Sequence, residues 1–285
     1  MGNLLRGECR RLYKSRVFRL CILLEILLNL WPILGEYEKR LLYDPYFLPL
    51  WKLPDELMSE GGALWVPVIT GVFMVFFIGT EFRDKTLNNK LIYGAPRFAV
   101  YLCELGVCLL GTMLIYCAGV AVAFGVGVPL LGGLEHPLYE VAWRVAIGGM
   151  ATLGFTALYH AVFLCVGRIA LCAIFPLPLG VGLYFLADRI AWRLERPRYL
   201  TSKTLLEDGT LIESICAENP LYVGGFRRTL YELFYDLLPS GQLLRCGEYY
   251  KPLPAHPWRL LLYTLFFVAL CGTAGFLLFR KKQLK

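Results

Sequence analysis

The stretch FAVYLCELGVCLLGTMLIYCAGVAVAFGVG, residues 98–127, holds thirty positions with a single charged side chain, Glu104. A helix needs about 20 consecutive apolar residues to cross the hydrocarbon core of a bilayer, so this run reads as a membrane span long enough to tilt or protrude. Five further runs qualify, near residues 17–35, 63–80, 141–167, 169–187 and 258–279. The expected fold is therefore all-α, a polytopic membrane protein with six transmembrane helices in a single domain covering residues 1–285. Composition agrees, because 57% of the residues are hydrophobic and 18% are charged, whereas soluble domains carry about a quarter charged residues. The net charge of +7 lies beside the apolar runs and not in a basic stripe interleaved with aromatics, so nucleic acid is not an expected partner. The first run follows a patterned segment of sixteen residues and precedes no small-x-small cleavage site, so it reads as a retained helix and not a signal peptide.

Charge sets the expected orientation. Residues 1–16, 81–97, 168 and 280–285 sum to +11, whereas 36–60, 128–140 and 188–257 sum to −5. Cytosolic loops are enriched in Lys and Arg, which places both termini in the cytosol and residues 188–257 outside, in a plasma (cytoplasmic) membrane. Residues 1–16 put Leu4, Leu5, Cys9, Leu12 and Tyr13 on one helical face and Arg6, Arg10, Arg11 and Lys14 largely on the other. That pattern predicts an amphipathic helix at the inner interface, its basic residues meeting anionic lipid headgroups at about 1 kcal/mol each.

The segment GTEFRDKTLNNKLIYGAPR, residues 79–97, is where an apolar helix gives way to dense polar sequence. Gly79, Lys85 and Thr86 nearly spell a phosphate-binding loop, but Asp84 occupies the second glycine, where a carboxylate repels phosphate. Residues 84–92 read instead as a short helix, and Gly94-Ala95-Pro96-Arg97 as the turn into the next span. Here the chain resembles the permeases of type 2 ABC exporters, in particular the bacteriocin and lantibiotic self-immunity group. Those permeases carry an acid-aromatic-Arg-x-x-Thr-Leu segment after the second span, matched by Glu81, Phe82, Arg83, Thr86 and Leu87, with Gly94 and Arg97 closing the turn. Lys85 departs from the glycine common at its position.

The resemblance implies that Glu81, Phe82, Arg83, Asp84, Lys85, Thr86, Leu87 and Arg97 couple the chain to a separate ABC ATPase subunit that binds ATP and Mg. It also implies a second permease subunit, identical or paralogous, and a substrate such as an antimicrobial peptide or another amphiphile. This chain would then be a non-catalytic subunit with no cofactor of its own. Residues 226–238 form an amphipathic helix between Gly224-Gly225 and Pro239-Ser240-Gly241, and in the resembling family such outer segments re-enter the membrane before the last span. Phe226, Leu230 and Phe234 would then serve as an outer gate; an ordinary surface helix resting on lipid headgroups fits the same pattern.

Cys216 and Cys246 are the cysteines outside the membrane on the exterior side of this topology, and an oxidising exterior would permit a disulfide worth about 2–4 kcal/mol. No cysteine pair has metal-ligand spacing and His136, His160 and His256 lie far apart, so no metal site is expected. Within the spans, Glu25, Glu104 and His160 lie about 12, 9 and 10 Å from the cytosolic ends at 1.5 Å per residue. That common depth makes them candidates for a transport pathway or for pairing across helices, against a reading in which Glu104 snorkels and the other two satisfy local hydrogen bonds. Gly119, Ala123 and Gly127 form a small-residue stripe suited to close helix approach. An intramembrane enzyme would need a nucleophile or metal with partners, and none stands at convincing spacing. A membrane anchor or regulator that binds without transporting is the other class consistent with this sequence.

Overall fold

The computed structural model describes residues 2–43, 52–84, 86–166, 176–205, 211–247 and 253–281. Its helices are α1 (Gly2–Lys14), α2 (Arg16–Leu42), α3 (Pro54–Arg83), α4 (Thr86–Ile92), α5 (Arg97–Val122), α6 (Val128–Leu131), α7 (Leu138–Val166), α8 (Pro176–Leu194), α9 (Gly225–Leu237), α10 (Pro239–Gly247) and α11 (Trp258–Lys281). A π-helical turn, Ala123–Gly127, joins α5 to α6. Strands β1 (Tyr199–Leu205) and β2 (Leu211–Glu218) pair antiparallel between α8 and α9.

Among the described residues, five helical stretches are long and apolar enough to cross a membrane: Arg16–Leu42, Trp65–Arg83, Arg97–Leu131, Leu138–Leu164 and Trp258–Lys281. The chain is a helical, multi-pass membrane protein. Buried residues fill 72% of the apolar window in α7 but only 22% in α2 and α11, so α7 is central and those two are peripheral. Leu20, Leu23, Leu27 and Trp31 on α2, and Leu262, Phe266, Leu270 and Leu277 on α11, are exposed. Rows of exposed apolar side chains on helices of this length suit lipid as their solvent. The predicted span at 169–187 lies partly outside the described residues, and its described remainder falls in α8, which packs on α3 and α10.

The ends of the helices sort into two groups. Residues of α1, the end of α3, α4, the start of α5 and the end of α11 meet one another, through Arg11 and Glu81 and through Arg97, which donates to the Arg280 carbonyl at 2.7 Å. At the other end Arg40 donates to the Leu131 carbonyl. There the backbone N–H of His136 also donates to Asp55 at 3.1 Å. Successive helices α2, α3, α5 and α7 thus alternate in direction. Close approach is built where glycine removes a side chain: a Cβ at Gly119 would lie 2.6 Å from Glu25 Oε1, so the expected small-residue stripe receives α2.

Three features go beyond the expectations. The segment between α8 and α9 is not purely helical, since Tyr199–Leu205 and Leu211–Glu218 form a hairpin with an irregularity at Leu200/Thr201. Thr201, Thr204, Ile212 and Ile215 supply the β-branched residues that suit a strand, but their alternation is too broken to stand out in sequence. Second, the inward face of α1 carries Glu8 and Leu12, with Arg11 half-buried, while Leu5 and Tyr13 are exposed. An apolar stripe predicts burial when water is the alternative; beside lipid, the charges that find partners turn inward instead. Third, Phe226, Leu233 and Phe234 of α9 face outward and Tyr235 is its buried residue, for the same reason.

Candidate functional site

Residues 81–97 are built as a clasp. Thr80 ends the apolar run of α3, Arg83 is its last residue, and Asp84 caps the helix with its N–H bonded to the Thr80 carbonyl. The expected short helix is α4, beginning at Thr86. Lys85 lies outside the described residues. Gly94, with φ of 87°, makes the left-handed turn that an L side chain resists, and Pro96 precedes the first residue of α5.

The side chains divide by direction. Glu81 is buried and pairs with Arg11 of α1 and, at 2.5 Å, with Lys90 of α4. Glu8 of α1 pairs with Lys90 and, at 3.0 Å, with Arg11. The Arg11 guanidinium also lies 4.1 Å over the Phe77 ring. Two acids and two bases thus cancel inside the end of the bundle. Leu87 is buried among Val100, Tyr101, Leu105 and Phe279, and Phe82 packs against this group. Thr86 Oγ1 donates to the Glu81 carbonyl at 3.4 Å. Arg97 binds the last carbonyls of α11.

Of the eight predicted coupling residues, Arg83 and Asp84 are exposed, joined by a 2.9 Å ion pair. That pairing, chiefly the hydrogen bond from Arg83, holds the Asp84 carboxyl below the ordinary aspartate range. Beside them Asn89 is exposed, and Ile92 and Tyr93 stand out at 79% and 89% exposure. Glu81 is therefore an internal strut and not a surface contact. Sequence reasoning missed Glu8, Arg11 and Lys90 as its partners; the lone acid in a basic N-terminal helix was the available signal.

The three intramembrane candidates separate. Glu104 and His160 meet across α5 and α7, Oε2 to Nε2 at 4.0 Å, both fully buried. Among the described residues neither carboxylate oxygen and neither ring nitrogen has a hydrogen-bond partner, and the Tyr101 ring lies edge-on to His160 at 5.0 Å. Glu25 is elsewhere. It touches the position of Gly119, fifteen residues beyond Glu104 on α5, or about 22 Å along the helix. The common depth fails because α5 extends past the start of α2: Leu12, before the α1–α2 break at Ser15, already meets Gly111. Glu25 instead accepts from Asn29 at 3.2 Å and lines a cavity between α2, α3 and α5.

At the opposite end α9 and α10 fold back on each other with their tip among the spans. Leu237 packs with Ala157, Phe267 and Cys271, and Pro239 fills the space that a Cβ on Gly154 would need. Gly154 lies near the middle of α7. Backbone can enter an apolar medium only if its polar groups are satisfied, and Gln242 supplies this. Its Nε2 donates to the Asp236 and Leu260 carbonyls at 2.7 and 3.1 Å, and its Oε1 accepts from Thr264 at 2.6 Å. Ser240 donates to the Leu183 carbonyl at 2.9 Å.

Of the predicted gate residues, Phe226 and Phe234 are exposed and Leu230 half-buried; Phe234 lines a groove between α8 and α9. Cys246 is a free, buried thiol packed with Ile147 and Leu260, and the side chain of Cys216 lies outside the described residues. Among the described residues no cluster of three metal-ligating side chains occurs.

The sequence matches no known protein-family profile, and no curated protein shows a significant match to it.

Proposed function

We propose that this chain is the non-catalytic permease subunit of an ATP-driven exporter, acting with a second permease copy or paralogue and with separate ATPase subunits that bind ATP and Mg. The observation that carries the reading is the clasp. Glu81, Lys90, Arg11 and Glu8 lock α4 against the bundle, Arg97 locks the following turn to α11, and Arg83, Asp84, Ile92 and Tyr93 are left facing out. A rigid knob with an apolar tip and a charged flank is suited to pass a partner's movement into α3, α5 and α11 together. In this reading residues 169–187 form a sixth crossing, both termini are cytosolic in the plasma membrane, and the α9–α10 hairpin re-enters from the exterior. The substrate would be an antimicrobial peptide or another amphiphile.

Co-expression with any ABC ATPase encoded beside the gene tests this, and the absence of such a gene would count against the reading. The permease should co-purify with that ATPase and stimulate its ATP hydrolysis, and Ile92→Glu or Tyr93→Glu should abolish both while the chain still inserts and purifies as a monodisperse species. Normal insertion with no ATPase association in the unaltered chain would leave a binding or anchoring role as the better account.

A further inference from the structure

The cavity between α2, α3 and α5 has a volume of about 370 Å³ and is lined by Glu25, Asn29, Trp31, Trp65, Tyr116 and Val120, among others. Its chemistry is asymmetric. Glu25 is an acid inside an apolar bundle, its hydrogen-bond donor is the neutral amide of Asn29, and no Lys, Arg or His among the described residues forms an ion pair with it. The close packing of Gly119 fixes the carboxylate at the cavity wall. Trp31 and Trp65 are both exposed at the rim, and tryptophan faces attract cations. Tyr116 spends its hydroxyl proton on the Val145 carbonyl at 2.9 Å, leaving its ring as a wall. Leu28, Ile33, Leu57, Met58 and Val66 complete an apolar lining.

An acid held without a cation, flanked by two indoles and continuous with lipid-facing apolar surface, lacks one partner: a positive charge that arrives with an apolar tail. We propose that this cavity binds the ammonium head of a cationic amphiphile, with Glu25 receiving the charge, Trp31 and Trp65 flanking it and the tail lying along the apolar rim. The volume is at the small end of ligand pockets, about 300–1,000 Å³, so it admits a head group and a short length of chain and not a folded peptide. The role of the cavity as a transport site rests on the exporter reading; its capacity to bind does not.

Bromine quenches tryptophan, so the saturable part of the quenching that depends on Trp31 and Trp65 reports occupancy of the cavity, above the background from the other four tryptophans. Purified protein in neutral maltoside micelles is titrated with bromododecyl-trimethylammonium and, separately, with bromododecyl sulfate of the same tail. Saturable quenching about tenfold tighter for the cation is expected. Glu25→Gln should remove that preference, Val120→Phe should lower the affinity for the cation by filling the cavity, and Trp31→Phe with Trp65→Phe should remove the saturable component of the quenching. Equal affinity for the two probes, or a cation preference that survives Glu25→Gln, overturns the proposal. Should Glu25→Gln aggregate on gel filtration, Val120→Phe decides: cation binding unchanged by that filling places the ligand elsewhere. Short-chain phosphatidylcholine distinguishes the source of the ammonium, since displacement of the probe identifies a lipid head group and failure to displace it identifies a free amphiphile. Cation binding without ATPase association would sink the exporter reading and leave this site standing; the converse pair of results would do the reverse.

Discussion

The two ends of the bundle solve one problem, how to hold a short helix against long ones, with opposite chemistry. At the α1 end the fastening is ionic, with Glu8, Arg11, Glu81 and Lys90 cancelling one another where Arg11 and Lys90 keep partial contact with solvent. At the other end α9 and α10 enter the bundle and the fastening is neutral, through Gln242, Thr264 and Ser240. Charges are tolerable where some water reaches them, whereas an amide satisfies orphaned carbonyls in an apolar setting without desolvating an ion. The ionic end can be loosened by changing one charge.

Breaking the ionic clasp should give the largest effect. Glu81→Gln leaves Arg11 and Lys90 without their shared carboxylate, and removing one partner of a buried pair costs on the order of 3 kcal/mol. The midpoint of thermal unfolding in detergent should fall accordingly, and adding Lys90→Met should restore part of the loss. A cycle in which the two losses simply add would mean that the quartet is not a unit.

The neutral fastening should yield a smaller change with a local signature. Gln242→Leu leaves the Asp236 and Leu260 carbonyls without that donor and Thr264 without its acceptor, at a cost of about 1–3 kcal/mol. Because Cys246 follows in the same helix and is buried, its modification by a soluble maleimide, read at the peptide level, should rise well before global unfolding. Unchanged Cys246 protection would show that the hairpin is held by packing at Gly154 and Pro239 alone.

How far each end could be read in advance follows from the same contrast. Five of the spans were legible because apolar runs of this length have one stable solvent, and α4 and its turn were legible because Gly94 and Pro96 punctuate them. The inward faces of α1 and α9 were not. Amphipathic periodicity says that a helix has two faces but not which faces protein, once lipid replaces water as the competitor. Glu8 and Glu81 stand 73 positions apart in the sequence, and no local pattern announces that Lys90 lies between them. The supposed common depth of Glu25 and Glu104 failed because counting from the start of each span assumes that the spans start level.

Glu104 and His160 lie just inside the clasp and sharpen the comparison, because they form neither an ionic nor a neutral fastening. Two buried polar side chains with no hydrogen bonds cost stability, so exchanging both for apolar groups of similar size, Glu104→Leu with His160→Phe, should leave the unfolding midpoint unchanged or raise it slightly. A marked fall would make the pair structural. If the chain is an exporter subunit, a retained midpoint with lost transport would make the pair part of its moving machinery.

The exposed pair Arg83 and Asp84 should show the smallest effect on stability and the clearest separation of stability from association. Both side chains are more than half exposed, and pairs of this kind contribute little because solvent screens them and holding them costs side-chain entropy. Arg83→Ala with Asp84→Ala should therefore leave both the unfolding midpoint and membrane insertion where they were. If the knob is a docking surface, the same double variant should weaken capture of the ATPase subunit, and raising the salt concentration should weaken capture by the unaltered chain but not by the variant. A variant that unfolds at lower temperature would instead show that these residues hold α3 to α4, and the outward face of the clasp would then reduce to Ile92 and Tyr93.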